Sequence, residues 1–356
     1  MDASSPRWRR VGLPAGLALA VAVALGLALW PRLAPDAELD TADALSAWIG
    51  AHPDRTSFVV WDLDTGEPLA SASAGHARPV FGLTALLLAV EYARQADAGL
   101  DTTYRVAGSA LERRRLPAVE PAPTYGAIAL PQLVRAAVDG DRPAADELLR
   151  IVGRSGAEAI PSRLGLTALD APLPVGGLLL AWSPAQWGGG TTPAEQAERF
   201  ARLPRPAQRD SAFARDRSFQ SSAAYRSGET SRLELDGLGL TEGEMHAVAS
   251  RSFPRGTAQG YADLLARAFE GTLIDPSVSA RVLRSLGSDS LRVAAGAGSG
   301  LASAALLDLA RRRGAVLLLE GLPVRADVQP AHARAAVELA ARWARRPEDA
   351  PALQGR

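Results

Sequence analysis

Proton transfer and nucleophilic attack draw on a short list of side chains, and this chain holds few of them. It has no cysteine and no lysine, so all 39 of its lysine-plus-arginine residues are arginine. Without cysteine there are no disulfides, thiol nucleophiles, cysteine–zinc sites or lipidated-cysteine anchors. Arginine stays protonated and cannot serve as the neutral amine base that a buried lysine becomes. The four histidines, His52, His76, His246 and His332, stand apart, with no His-x-x-x-His or His-Glu pairing on a helix. A metal site would bring two or three ligands together, so no metal and no other cofactor is expected. Ser299 lies in Gly296-Ala-Gly-Ser-Gly300 but not in a Gly-x-Ser-x-Gly elbow, because Ala297 stands two residues before it. That glycine run opens no lysine-bearing helix and is no phosphate loop. Thr84 is the one hydroxyl at the start of an apolar helix, and its oxygen is expected to bond back to the helix backbone. Arg142 either grips a carboxylate with both prongs or forms a surface pair with Asp139 or Asp146. Arg113-Arg-Arg115 and Arg311-Arg-Arg313 read as solvated loop charges, with contact to anionic lipid heads as the other option.

The elements that must position these groups can be read from pattern. Pro79 to Val90 carries no charge and is apolar all round from Thr84 on, which predicts a helix buried on every side, with Gly82 as its N-cap. Asp40–Ala51 reads as a helix, Thr56–Asp62 as a strand, Asp64-Thr-Gly-Glu67 as a turn, and Pro68–Ala74 as the returning strand. Further helical patterns lie at Leu130–Val138, Ala144–Val152, Thr257–Glu270, Pro276–Leu286 and Pro330–Arg345. Short strands are expected at Leu291–Ala297, Ala302–Ala310 and Ala315–Leu322. Ser183–Glu242, rich in glycine, proline, serine and arginine, is expected to be an irregular insertion. Strands at both ends with helices between them predict an α+β fold, one antiparallel sheet made from both termini and packed on a helical body.

The chain has 356 residues, 47% of them hydrophobic, enough for one large domain or two small ones. Its net charge is zero, which gives no long-range attraction to nucleic acid. Val11–Trp30 is uncharged, about long enough to span a bilayer, and preceded by Arg7, Arg9 and Arg10. An uncleaved anchor in the lipid bilayer through residues 11–30 is favoured, with the bulk of the chain outside the cytoplasmic membrane. Secretion after signal cleavage, including a twin-arginine route through Arg9-Arg10, is the alternative. The expected division is an anchor or signal segment at 1–33, a linker at 34–39, one domain at 40–346 containing the 183–242 insertion, and a tail at 347–356.

This layout and its local wording resemble the serine β-lactamase and penicillin-binding transpeptidase family, class A branch. Val59-Val-Trp-Asp-Leu-Asp-Thr-Gly-Glu67 is similar to the family's opening hairpin. Leu133 to Gly153 resembles the stretch around its Ser-Asp-Asn motif, and Gly256 to Gly287 the helix pair before its Lys-Thr-Gly strand. The resemblance implies an α+β fold, and it implies a serine at the start of the central helix with a lysine three residues later, both facing one cleft. Here Gly82-Leu-Thr-Ala85 stands on Ser-x-x-Lys, Gly140-Asp141-Arg142 on Ser-Asp-Asn, and Gly296-Ala297-Gly298 on Lys-Thr-Gly. No Arg-x-Glu-x-x-Leu-Asn segment comes after Asp141. The nucleophile and base positions are Gly82 and Ala85, so none of the family's catalytic residues is retained.

The expectation is therefore a membrane-anchored, extracytoplasmic β-lactamase-like pseudoenzyme that binds or scaffolds at the cell envelope. Thr84, Asp141, Arg142 and Ser299 are the candidate cleft-lining residues, and an envelope glycan or protein is the kind of partner implied. Two rival readings stand beside it. One is a hydrolase with a rearranged, lysine-independent site built from Thr84 or Ser299 with His76. The other is a structural envelope protein of some different α+β fold.

Overall fold

The computed structural model describes residues 39–116, 126–182, 191–287, 290–324 and 329–352. The expected anchor at 11–30 lies outside them. Among the described residues no helix is long and apolar enough to cross a membrane.

The β-branched and aromatic run Thr56–Asp62 forms strand β1, after helix α1 (Ala42–Ala51). Asp62 closes the next turn by accepting from the backbone N–H of Asp64 and Thr65 at 2.9 and 3.0 Å. Strand β2 (Pro68–Ala72) returns antiparallel to β1. From the other end of the chain come β3 (Leu291–Gly298), β4 (Leu301–Asp308) and β5 (Arg313–Glu320). The sheet order is β2-β1-β5-β4-β3, and every neighbouring pair is antiparallel. One sheet built from both termini is thus what forms, and the fold is α+β. Pairing β1 with β5 leaves β3 as a free edge.

Strand alternation sends residues to two cores. On β1, Val59 and Trp61 face the helical body, while Phe58 and Val60 face α1 and the closing helix. The helical body is centred on α2 (Thr84–Asp97), in which every residue from Thr84 to Ala93 is buried. Even Glu91 is enclosed, its carboxylate taking Arg94, Gln95 and Arg163 as donors. The N-cap of α2 is Leu83, not Gly82 as expected. Gly82 has φ +88°, a left-handed turn in the approach to the helix. That conformation suits glycine, and it leaves the capping place one residue later.

Around α2 lie α3 (Gly108–Glu112), α4 (Leu130–Val138), α5 (Arg142–Val152) and α6 (Arg154–Arg163). Next come α7 (Val175–Trp182), α8 (Pro193–Ala201), α9 (Arg205–Ser221), α10 (Ala223–Asp236) and α11 (Glu242–Ser252). Helices α12 (Ala258–Glu270) and α13 (Pro276–Ser285) lead into β3, and α14 (Gln329–Arg345) packs on the outer sheet face.

The stretch expected to be irregular, 183–242, is a helical layer over its described part. Local caps start these helices: Thr192 with Glu195 forms a capping box, Ser222 caps α10, and Thr241 with Glu244 caps α11. Their apolar residues are sparse, which is why the periodicity is weak. Phe200, Ala212, Phe219 and Leu233 suffice because they pack on α7, which is buried along its whole length. Helices α7 and α9 cross so closely that a β-carbon on Gly177 would lie 2.1 Å from the carbonyl oxygen of Ala212.

Candidate functional site

The segment entering α2 is pinned from several sides. Arg78 is buried and donates to Ser57 Oγ at 2.7 Å and to the carbonyls of Asp54 and Thr56 at 2.7 and 2.9 Å. It also pairs with Glu320 on β5. Val80 N–H donates to Pro254 O at 2.8 Å, and Ser303 Oγ on β4 donates to Phe81 O. These contacts press Phe81 and Gly82 against the free edge of β3.

Three backbones meet there. A β-carbon on Gly82 would stand 2.7 Å from Gly296 Cα and 3.0 Å from Ala295 O. One on Gly140, which has φ +90°, would stand 2.7 Å from Ala295 O and 3.0 Å from Gly296 Cα. One on Gly296 would stand 2.8 Å from Gly82 Cα, and one on Gly298 would meet the Phe81 ring at 2.6 Å. Real β-carbons do not approach that closely, so Gly82, Gly140 and Gly296 accept only glycine as the backbone stands, and a side chain at Gly298 would require the Phe81 ring to move. Gly82, Gly140 and Gly296 are the first residues of the three motif positions singled out in the sequence. The structure brings them together and packs them backbone to backbone. Ala85, at the base position, is buried within the core.

The remaining side chains are occupied by the fold. Asp141 caps α5, its Oδ1 accepting from Ala144 N–H at 2.8 Å. Arg142 forms a buried pair with Asp146 at 2.7 Å, and it donates to Arg114 O. The expected surface pair is therefore with Asp146 and is not on the surface; Asp139 pairs with Arg135 instead. Asp146 also accepts from the N–H groups of Val175 and Gly176 at 2.8 and 2.9 Å, tying α5 to the start of α7. Arg114, read as a solvated loop charge, is in fact buried, at 2.7 Å from both Glu147 and Asp216. Burial drives the Asp216 carboxyl up to about 6 against the opposing pull of Arg114. The Glu147 carboxyl is lowered overall: burial acts to raise it, but bonds and charge from Arg150 and Arg114 outweigh that.

Thr84 makes no bond back to its helix among the described contacts, contrary to expectation. It lines a cavity of only about 20 Å³ with Gly82, Asp141, Arg142 and Asp146. That is room for about one water, not for a substrate. Ser299 is 6% exposed and takes φ +53° at the turn between β3 and β4. His76 is exposed and lines neither cavity. The histidine near Ser299 is His246, packed on Gly300. Its Nε2 lies 2.7 Å from Leu322 O and 3.9 Å from Glu242 Oε1 one turn back on α11, so a histidine–glutamate pair does stand on a helix, contrary to expectation. A carbonyl only accepts, so Nε2 carries its proton toward Leu322, and the neutral ring keeps its lone pair on Nδ1. Thr84, Ser299 and His76 are thus not gathered into one reacting group. Among the described residues no cluster of histidine and carboxylate side chains stands ready for a metal.

Beside the glycine contact lies a cavity of about 850 Å³. Leu291, Val293, Ala295 and Ala297 of β3 form one wall, and Ala333, Val337 and Ala341 of α14 another. Gly140, Asp141, Arg142 and Ser299 reach its rim, with Leu179, Leu238 and Met245 beyond. Its size is that of ligand pockets, about 300–1,000 Å³.

No family model matches the chain, and no curated protein matches it by sequence. Solved structures similar to it are β-lactamases. One, from Sphaerobacter thermophilus, is 14% identical and covers 83% of this chain and 96% of its own, with a TM-score of 0.47. A variant of the last common ancestor of Gram-negative bacteria class A β-lactamase is 16% identical, covering 87% and 99%, at 0.48. A third, from Xanthomonas campestris, is 15% identical, covering 84% and 98%, at 0.45.

Proposed function

We propose that this chain is a β-lactamase-like pseudoenzyme: a binding or scaffolding protein of the cell envelope that forms no acyl-enzyme. The observation that carries the reading is the close approach of Gly82 and Gly140 to the Ala295–Gly296 backbone, which fills the space a side chain at Gly82 would need. The small cavity at Thr84, and the exposure of His76 outside both cavities, speak against a hydrolytic site built from Thr84 or Ser299 with His76. The basic flank and apolar run at residues 7–30 favour anchorage with the domain outside the cytoplasm.

Incubating the purified full chain with a fluorescent penicillin and resolving it by denaturing gel and intact mass tests the first part. No covalent adduct and no release of hydrolysed product are expected; a stable or turning-over adduct overturns the pseudoenzyme reading. Fractionation of expressing cells with an alkaline wash tests the second. Retention in the membrane pellet is expected for the full chain and loss of it after deletion of residues 2–33. An intact mass lacking the N-terminal segment would replace the anchor with a cleaved signal.

A further inference from the structure

The larger cavity has an elongated apolar seam. Strands β3 and β5 run in the same direction, since both are antiparallel to β4. Arg313, at the start of β5, donates to the carbonyls of Ala344 and Arg345 at 3.3 and 3.1 Å, so α14 descends antiparallel to β3. Arg345 therefore lies at the Leu291 end of the seam and Arg334 toward the Gly298–Ser299 end. Eleven residues of helix separate them, about 16 Å along the axis. Between them Leu291, Val293 and Val337 are only half-buried, a run of apolar surface with no covering side chain among the described residues.

The polar groups at this cavity divide in two. Asp139, Asp141 and Arg142 are already engaged by Arg135, Ala144 N–H and Asp146. Arg334 and Arg345 are exposed and line the same cavity, and among the described residues neither guanidinium has a carboxylate or hydrogen-bond partner. They outnumber Glu338, the acid between them. A ligand suited to this place has a long apolar body that asks for no hydrogen bonds along its length and a single anionic end.

We propose that the groove between β3 and α14 binds a free long-chain carboxylate, a fatty acid, with its head at Arg334 and its chain along Val293, Val337 and Leu291. The inference rests on the reading of this face as a binding rather than a reacting site. The test uses the full chain in membranes of expressing cells, labelled with a photoactivatable palmitate analogue. Crosslinks are expected within residues 291–297 and 333–341, competed by palmitate but not by its methyl ester or by phosphatidylglycerol vesicles. Arg334→Glu and Val337→Glu change exposed or half-buried positions and leave the fold, checked by circular dichroism, in place. Each is expected to weaken labelling by about tenfold or more, the loss of one good contact or of apolar burial. Crosslinks elsewhere, competition by the ester or by phosphatidylglycerol, or either variant labelling within about threefold of the parent overturns the proposal. Those failures leave the absence of a penicillin adduct untouched, whereas an adduct would defeat the underlying reading whatever palmitate does.

Discussion

Replacing Gly82 by serine puts back the hydroxyl that the family resemblance implies at this position, against packing that has no room for it. Gly82 has φ +88°, and its new β-carbon would lie 2.7 Å from Gly296 Cα and 3.0 Å from both Ala295 O and Gly296 N. A residue with a side chain in left-handed backbone costs about 1–2 kcal/mol. Overpacking against atoms that cannot rotate away costs about 1–3 kcal/mol more. These neighbours are backbone atoms of β3, held by pairing to β4 from Leu291 to Gly298, so relief requires moving a strand. The result is a destabilisation of about 2–5 kcal/mol, and for a body of this size about 2 °C of melting temperature per kcal/mol. Thermal melting of Gly82→Ser beside the parent should show a fall of about 4–10 °C. The same variant, alone or with Ala85→Lys, should form no adduct with fluorescent penicillin. A melting temperature within about 1 °C of the parent would refute the close-packing argument. An adduct would refute the inference that the site is closed.

Other consequences are equally direct. Gly177→Ala places a β-carbon 2.1 Å from Ala212 O at the crossing of α7 and α9; a loss of about 3 kcal/mol is expected as a lower urea midpoint. Arg114→Met takes one of two arginine partners from Glu147, 4% exposed, which keeps Arg150, and leaves Asp216, 19% exposed, without its arginine. Removing one partner of such a buried pair costs about 3–5 kcal/mol, and Glu147→Leu in the same chain should recover part of the loss. Asp216 supplies a pH signature. Its folded carboxyl is raised from 3.8 to about 6 by burial, so its contribution to stability is fully present below the lower value and lost as pH rises through the upper one. Glu147, whose carboxyl is lowered, works in the opposite sense and loses its contribution as pH falls. Asp216→Asn should therefore remove the rise in urea stability between about pH 6 and 4 that the Asp216 carboxyl contributes; an unchanged profile would show that this group does not titrate in that window.

Much of the frame was legible because its signals are local. The β1 run Thr56–Asp62 is bounded by Asp62-to-Thr65 turn bonds, and α2 is apolar on all sides, so both can be read from adjacent residues. The helical layer after Thr192 was not legible from periodicity, since its few apolar residues join a cluster centred on α7 and assembled from distant parts of the chain. Its capping boxes, Thr192 with Glu195 and Thr241 with Glu244, were the available signal. The Arg142–Asp146 spacing was visible as a helical pair, but its burial depends on Val175 and Gly176, which no local pattern links to it. The placing of Arg114 between α5 and α9 is of the same kind. So is the cap of α2: Gly82 looks like a capping residue until the approach of β3 fixes its backbone.

The glycine contact also bears on how a site of this kind is kept closed. If only the nucleophile position had lost its side chain, a pocket would stand open there and one reversion would refill it. Here the missing side chains are missing together. Gly82 and Gly296 exclude a β-carbon on each other, and Gly140 is excluded by Ala295 and Gly296 in turn. A side chain at Gly82 or at Gly140 collides with the Ala295–Gly296 backbone, and one at Gly296 collides with Gly82. A side chain at any of these positions therefore costs stability without creating room. One face of β3 is thus packed against the backbone at Gly82 and Gly140, while the apolar seam on the opposite face of the same strand stays open.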